Sequence, residues 1–302
     1  YHLIIYLPIL ILSFFFSKKF NLLDIPSEKR KIHKNPTPYS GGIALIFYYI
    51  IILLINSFEN NLEKILIVSI LIFFIGILDD KRQIKALIKI LLTLIPIILL
   101  IFLGLYIDDL GIYEFIGVLI LGKYKYIFCV LCVLLIINAV NYIDGIDGLA
   151  LSQILLSLLY LAFLSENNNT KNFLYLLSLP LFINLFFNFN LINKFKFFLG
   201  NSGSLILGFI LSFLVIFLYK YENIHPSFLI WSLYFYVYEF LSVNLVRFKD
   251  KRSLFKAGND HIHHAIFLLF KKSHFKTSLI LFVVSTIVFI SSYFINYYLP
   301  KI

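Results

Sequence analysis

The chain has 302 residues, of which 61% are hydrophobic and 14% charged, with a formal charge of +10 and a mean hydropathy of +0.92. This balance excludes an ordinary water-soluble fold and leaves no room for a sizeable soluble domain. Since a span needs about 20 apolar residues, the sequence predicts an all-α polytopic integral membrane protein, one domain over residues 1–302 with roughly ten transmembrane helices.

The spans are expected over 2–16, 43–57, 64–78, 86–105, 126–140, 148–164, 172–187, 204–219, 227–246 and 278–298. The first lacks a basic leader and a small-residue cleavage site, so it reads as a span and not as a removed signal peptide. Residues 112–121 are too interrupted for a span and are expected as an external hairpin or re-entrant piece. Prolines and glycines between Asn21 and Gly42 rule out a single regular element there. Cys129 and Cys132 lie within an apolar run and read as small buried hydrophobes.

The positive charge falls in alternate connections. Lys18, Lys19, Lys29, Arg30, Lys31, Lys34, Lys81, Arg82, Lys85, Lys89, Lys194, Lys196, Arg247, Lys249, Lys251, Arg252, Lys256, Lys271, Lys272 and Lys276 all belong to one set. By the positive-inside rule that set is cytoplasmic. The charge is therefore topological and suits anionic lipid or an anionic substrate; nothing points to nucleic acid.

All the unusual polar motifs share that side. Asn138, Asn141, Asp144 and Asp147 recur every third residue between two apolar runs. On a helix each such step turns about 300°, so they are expected as a slowly drifting column facing one ligand. Gly145 and Gly148 are expected to let a substrate or metal approach the carboxylates. Asp79 and Asp80 close a span, where helix polarity disfavours negative charge, so a cation, a metal or a function must compensate. Gly200, Asn201, Ser202, Gly203 and Ser204 open another span and read as a phosphate cradle of free amides and hydroxyls. Glu239 lies inside a span, with Arg247 or Asn244 as its expected partner. His261 and His264 are expected to share a helical face in the run His261-Ile262-His263-His264.

Other families fit less well. A transporter would set its acids near mid-span, a di-iron oxygenase needs more histidine boxes, and Asp147-Gly-Leu-Ala lacks the arginine of a CDP-alcohol phosphotransferase. The ordered set Asp24-x-Pro26, Pro38-x-x-Gly41-Gly42, Asp79-Asp80 with Lys89, Asn138-x-x-Asn141-x-x-Asp144-Gly-x-Asp147-Gly, Gly200-x-Ser202-Gly203-Ser204 and His-Ile-His-His resembles the polyprenyl-phosphate N-acetylhexosamine-1-phosphate transferases. The likeness spans nearly the whole chain, and the histidine run is more similar to the N-acetylglucosamine-1-phosphate type than to the phospho-MurNAc-pentapeptide type.

The resemblance implies transfer of N-acetylhexosamine-1-phosphate from a UDP-sugar to polyprenyl phosphate with release of UMP, at the cytoplasmic face of a bacterial inner membrane. It implies Mg²⁺, with Mn²⁺ as a substitute, held by Asp144, Asp147 and the residue at Asn201. Asp79 would orient or activate the lipid phosphate, with Asp80 assisting. Lys89, Arg247, His261, His263 and His264 would hold phosphates, Asn141 would line the nucleotide pocket, and Asn138 would be among the substrate-binding residues. A homodimer is left open.

The chain departs from the family pattern at Asn201, where an Asp is usual, at Gly258, where an acid precedes the histidines, and at Thr93, where Gln is usual. Loss of charge at Asn201 should weaken metal binding. The alternatives are therefore a catalytically weakened relative that binds lipid phosphate or nucleotide sugar, and, more remotely, a transporter.

Overall fold

The computed structural model describes residues 1–26, 35–192, 194–251 and 261–298. Lys29, Arg30, Lys31, His33, Lys34, Arg252, Lys256, Gly258 and Asp260 lie outside the described residues.

The expected spans fall on helices: α1 (His2–Lys19), α2 (Gly41–Ile55), α3 (Asn60–Arg82), α4 (Ala86–Phe102), α5 (Lys125–Ile143), α6 (Leu149–Leu164), α7 (Asn168–Asn188), α8 (Gly200–Glu222), α9 (Pro226–Leu229), α10 (Tyr234–Lys249), α11 (Ile262–Leu269) and α12 (His274–Tyr298). Among the described residues, 7 helical stretches are long and apolar enough to cross a membrane, while α2, α4 and α6 are apolar but shorter. The architecture is that of an all-α, multi-pass membrane protein.

The span expected over 227–246 is not one helix. A 3-10 turn, Ile230–Leu233, separates α9 from α10. Ser157 of α6 donates its hydroxyl to the Ser232 carbonyl at 2.8 Å, supplying from a neighbouring helix the donor that a carbonyl released from the α-helical ladder needs at membrane depth.

Helix α8 is the axis of the bundle. Of its apolar window 89% is buried, against 28% for α1 and for α12. Helix α3 packs against it so closely that a Cβ at Gly76 would stand 2.3 Å from the Ser202 Cα. Small residues at such crossings let backbones meet where lipid supplies no hydrophobic drive for association.

The segment before α2 contributes β1 (Leu23–Asp24) and β2 (Thr37–Pro38), paired antiparallel. Tyr39 then bridges Phe198, and the amides of Gly41 and Gly42 donate to Phe198 and Leu199 at 3.1 and 3.0 Å. This pairing draws the stretch from Thr37 to Gly42 onto the start of α8. At the other end of α8 sits the hairpin expected over 112–121, built from β3 (Asp109–Tyr113) and β4 (Gly117–Ile120). The Tyr219 hydroxyl bonds Asp109 there, and His225 Nε2 meets the Ile112 carbonyl at 3.1 Å. Cys129 is buried as expected, whereas Cys132 is exposed on the outside of α5.

Candidate active site

The acid and amide motifs converge at one end of the bundle, around the first turn of α8. Helix α3 delivers Asp79 and Asp80 in its last turn and stops at Gln83, which is left-handed at φ 46°. Asp79 Oδ1 accepts from the Ile84 amide at 3.0 Å, which shapes the reversal into α4. Its Oδ2 pairs with Lys89 Nζ at 3.0 Å. Lys89 also donates to Asn141 Oδ1 at 3.3 Å, and Asn141 Nδ2 donates to Asn201 Oδ1 at 2.6 Å and to Ser204 Oγ at 2.9 Å. One polar chain thus joins α3, α4, α5 and α8. Because a lysine can only donate, it fixes the sense of both amides, and the Asn201 carbonyl faces Asn141.

Asp80 resolves the paradox of two acids at a helix C-terminus. Its Oδ1 accepts from the Asn201 amide at 2.7 Å and its Oδ2 from the Ser202 amide at 3.0 Å. The carboxylate is disfavoured by its own helix but placed at the positive end of α8, where unpaired amides need an acceptor. Gly200 is at φ +76°, and a Cβ there would lie 2.9 Å from Asp80 Oδ2. Of the cradle expected of Gly200, Ser202 and Ser204, the first amides are taken by Asp80, the Ser204 hydroxyl accepts from Asn141, and the Ser202 hydroxyl has no hydrogen-bond partner among the described residues.

The expected column is also corrected. Asn138 turns back and donates to the Leu134 carbonyl of its own helix at 2.7 Å, and α5 ends at Ile143, so Asp144 and Asp147 belong to a turn. Lys196 Nζ holds Asp147 Oδ2 at 2.6 Å, the Asp147 amide donates to His274 Nδ1 at 3.0 Å, and Ser278 donates to the Asp147 carbonyl at 2.8 Å. Asn188 of α7 accepts from the Gly148 amide at 2.5 Å. The missing side chain at Gly148 makes room for the Phe189 ring, with a Cβ falling 2.0 Å from its Cζ, and not for a ligand. Gly145 is exposed and faces His264, whose Nε2 would be 3.7 Å from a Cβ there.

Asp144 is the least satisfied member. No hydrogen bond to its carboxylate is formed among the described residues. Withdrawal from water, and then the nearby carboxylates of Asp80, Asp147 and Asp24, hold its carboxyl well above the ordinary range. Tyr39, hydrogen-bonded to Asp24, is raised for similar reasons, burial first.

The histidine run forms a separate cluster beside this turn. Glu239 does not turn to Asn244, which donates to the Phe240 carbonyl of its own helix at 2.7 Å. Its Oε1 accepts from the His263 amide at 2.9 Å. His261 and His263 are buried against Glu239, and the His264 ring lies beside Gly145 of the Asp144 turn. His261 is the extended N-cap of α11 at φ -79°, ψ 149°; its ring meets that of His264 edge-on at 6.0 Å, the pair expected, and also stacks on that of His263 at 5.0 Å, which a regular helix would not allow. Tyr142 ties the two clusters, stacking on Phe240 at 5.8 Å and meeting His261 edge-on at 5.3 Å. Arg247 is buried on α10.

Lys196 and His274 are partners of Asp147 that the motif reading did not single out. Each was visible only as one basic residue among many in its loop.

The sequence profile of glycosyl transferase family 4 matches residues 62–219. The chain is 28% identical over 282 residues to a "Probable undecaprenyl-phosphate N-acetylglucosaminyl 1-phosphate transferase" of Bacillus subtilis (strain 168), covering 91% of this chain and 77% of that protein. It is 31% identical over 261 residues to an "Undecaprenyl-phosphate alpha-N-acetylglucosaminyl 1-phosphate transferase" of Pasteurella multocida (strain Pm70), covering 82% of this chain and 72% of that one. With the ordered motifs gathered at one end of a multi-pass helical bundle, these matches establish that the chain belongs to glycosyl transferase family 4.

Proposed function

We propose that the protein transfers an N-acetylhexosamine-1-phosphate from a UDP-sugar to undecaprenyl or a similar polyprenyl phosphate, on the cytoplasmic face of a bacterial inner membrane. The names of the two relatives support the reaction class, and the lysines and arginines around the site support the orientation. The observation that carries the reading is Asp144, a carboxylate without a hydrogen bond among the described residues, gathered with Asp80, Asp147 and Asp24.

Such a group fits a divalent cation, because Asp144, crowded by carboxylates and withdrawn from water, has no positive partner among the described residues. Asp144 and Asp147 would hold Mg²⁺ or Mn²⁺; Asn201 adds no charge, and its carbonyl already accepts from Asn141. When bound, the ion would neutralise charge on the diphosphate.

The chain's own residues supply the alignment. An oxygen of the lipid phosphate attacks the β-phosphorus of the nucleotide sugar, the bond from that phosphorus to the bridging oxygen breaks, and UMP leaves. The nucleophile is already anionic, so the task is to bring two anions together in line. Lys89, paired with Asp79, and Lys196, paired with Asp147, are held in place as positive charges. The His264 ring lies beside Gly145. Asp79 orients the lysine and the acceptor phosphate and need not remove a proton.

The test is UMP release by purified protein given undecaprenyl phosphate, Mg²⁺ and a panel of UDP-N-acetylhexosamines. Release that requires lipid, metal and Asp144 is expected, and the panel identifies the sugar. Silence with every donor, unrelieved by Asn201→Asp, would reject the reading. Rescue by Asn201→Asp would support the second reading, a weakened transferase, which the engagement of Asn201 by Asn141 favours.

A further inference from the structure

Glu239, His261 and His263 are 0%, 6% and 0% exposed, and their ligating atoms lie within 4.8 Å of one another. Glu239 Oε1 stands 3.2 Å from His263 Nδ1, and Glu239 Oε2 stands 3.6 Å from His261 Nδ1. Ligands at 2.0–2.1 Å from a tetrahedral ion are separated by about 3.4 Å, close to both distances. Residues two apart on a regular helix do not face each other. These two converge because His261 is extended at the cap, and their rings stack at 5.0 Å.

Glu239 Oε2, His261 Nδ1 and both ring nitrogens of His263 are buried without a hydrogen-bond partner among the described residues. Buried polar atoms seldom go unsatisfied, and one ligand atom from each of the three residues lies within 4.8 Å of the others, so a single bound species can satisfy them together. A carboxylate at 0% exposure also needs a compensating positive charge. Among the described residues, the two imidazoles are the only basic groups within ion-pair distance of Glu239.

We propose that Glu239, His261 and His263 bind one zinc-class divalent transition-metal ion, which pins the first turn of α11 to α10. Two imidazoles and one carboxylate suit zinc, cobalt or nickel and not magnesium. Three protein ligands leave one position of a tetrahedral ion for water. The site is distinct from the Asp144 turn in both ligand chemistry and position, and it holds whether or not the protein is an active transferase. Its structural consequence is to fix His264, next in the chain, over Gly145.

The experiment uses tag-free, full-length protein in detergent, stripped with a chelator and titrated with Co²⁺ as probe. One equivalent is expected to bind with the visible absorption of a tetrahedral nitrogen and oxygen site. Zn²⁺ is expected to displace it and to raise the melting temperature, while Mg²⁺ does neither. His263→Asn, His261→Asn and Glu239→Gln are each expected to weaken Co²⁺ binding by more than about tenfold, and Asp144→Asn is expected to leave it unchanged. No stoichiometric Co²⁺ on the wild type would overturn the proposal in favour of an imidazolium–carboxylate pair, and binding lost in Asp144→Asn but kept in the histidine variants would overturn it in favour of the turn. Should a variant fail to fold, zinc-edge X-ray absorption on the wild type decides: two imidazoles are expected, and a shell of oxygens alone refutes the site.

Discussion

Asp80 at the end of α3 accepts from the backbone amide of Asn201 at 2.7 Å, so the carboxylate of one helix closes the first turn of another. Loss of a capping carboxylate typically costs about 0.5–2 kcal/mol. Asp80→Ala is expected to fall in that range or somewhat above it, since Ser202 loses the same partner, with Asp80→Asn intermediate because one carbonyl oxygen remains. Denaturant melts in detergent measure this; an Asp80→Ala protein as stable as wild type would show that the cap carries no energy.

The Asp79–Lys89 pair makes a different prediction. Both side chains are largely buried, at 6% and 16% exposure, so Lys89→Met strands a carboxylate and is expected to cost roughly 3–5 kcal/mol. Adding Asp79→Asn to Lys89→Met should restore part of that loss. A double-mutant cycle on unfolding reads the coupling directly; additive losses would contradict the pair. Activity should be absent in all of these variants, because the alignment of both phosphates goes with the lysine.

Asp144 predicts an unusual pH dependence. Its carboxyl is raised in the folded protein by burial and by neighbouring carboxylates, so the folded state holds the proton more tightly than the unfolded chain. Stability from this group is therefore present below the ordinary Asp value of about 3.9 and is lost as pH rises through the folded value. In metal-free protein near neutral pH, Asp144→Asn should melt higher than wild type, the gap closing in acid. A melting temperature unchanged or lowered by Asp144→Asn across that pH series would contradict the crowding.

The same crowding bears on the proposed divalent cation. Mg²⁺ binding should release a proton from Asp144, read by calorimetry in buffers of different ionisation enthalpy, and the affinity should weaken as pH falls. Asn201→Asp adds a charged ligand and should lower the Mg²⁺ concentration for half-maximal activity by about tenfold, while making the stripped protein less stable. An unchanged Mg²⁺ requirement would remove residue 201 from the metal site.

A last prediction concerns the residues that motif reading passed over. Lys196→Met should remove the 2.6 Å partner of Asp147 and raise the donor KM more than it lowers stability, because the lysine is partly exposed at 28%. Ser278→Ala, which removes only a bond to the Asp147 carbonyl, should cost about 1 kcal/mol of stability and little activity. Steady-state kinetics beside melting curves separate the two effects.

Hydrocarbon runs long enough to cross a bilayer, alternating with basic connections, determined from the sequence alone that the chain is a helical membrane protein and that its acid, amide and histidine motifs meet at one end. The spacing within each motif identified the family, because the chemistry of phosphate transfer constrains those residue types locally. The partners were decided by the tertiary structure. Asp80 met the α8 amides and not its neighbours Lys81 and Arg82, Glu239 met the histidines, and Asp147 met Lys196 and His274. A span fixes the end at which each loop emerges, since it is set by length and hydropathy. Neighbouring helices are instead set by close approach at residues such as Gly76 and Ser202, and no local pattern in a uniformly apolar helix records which partner it packs against.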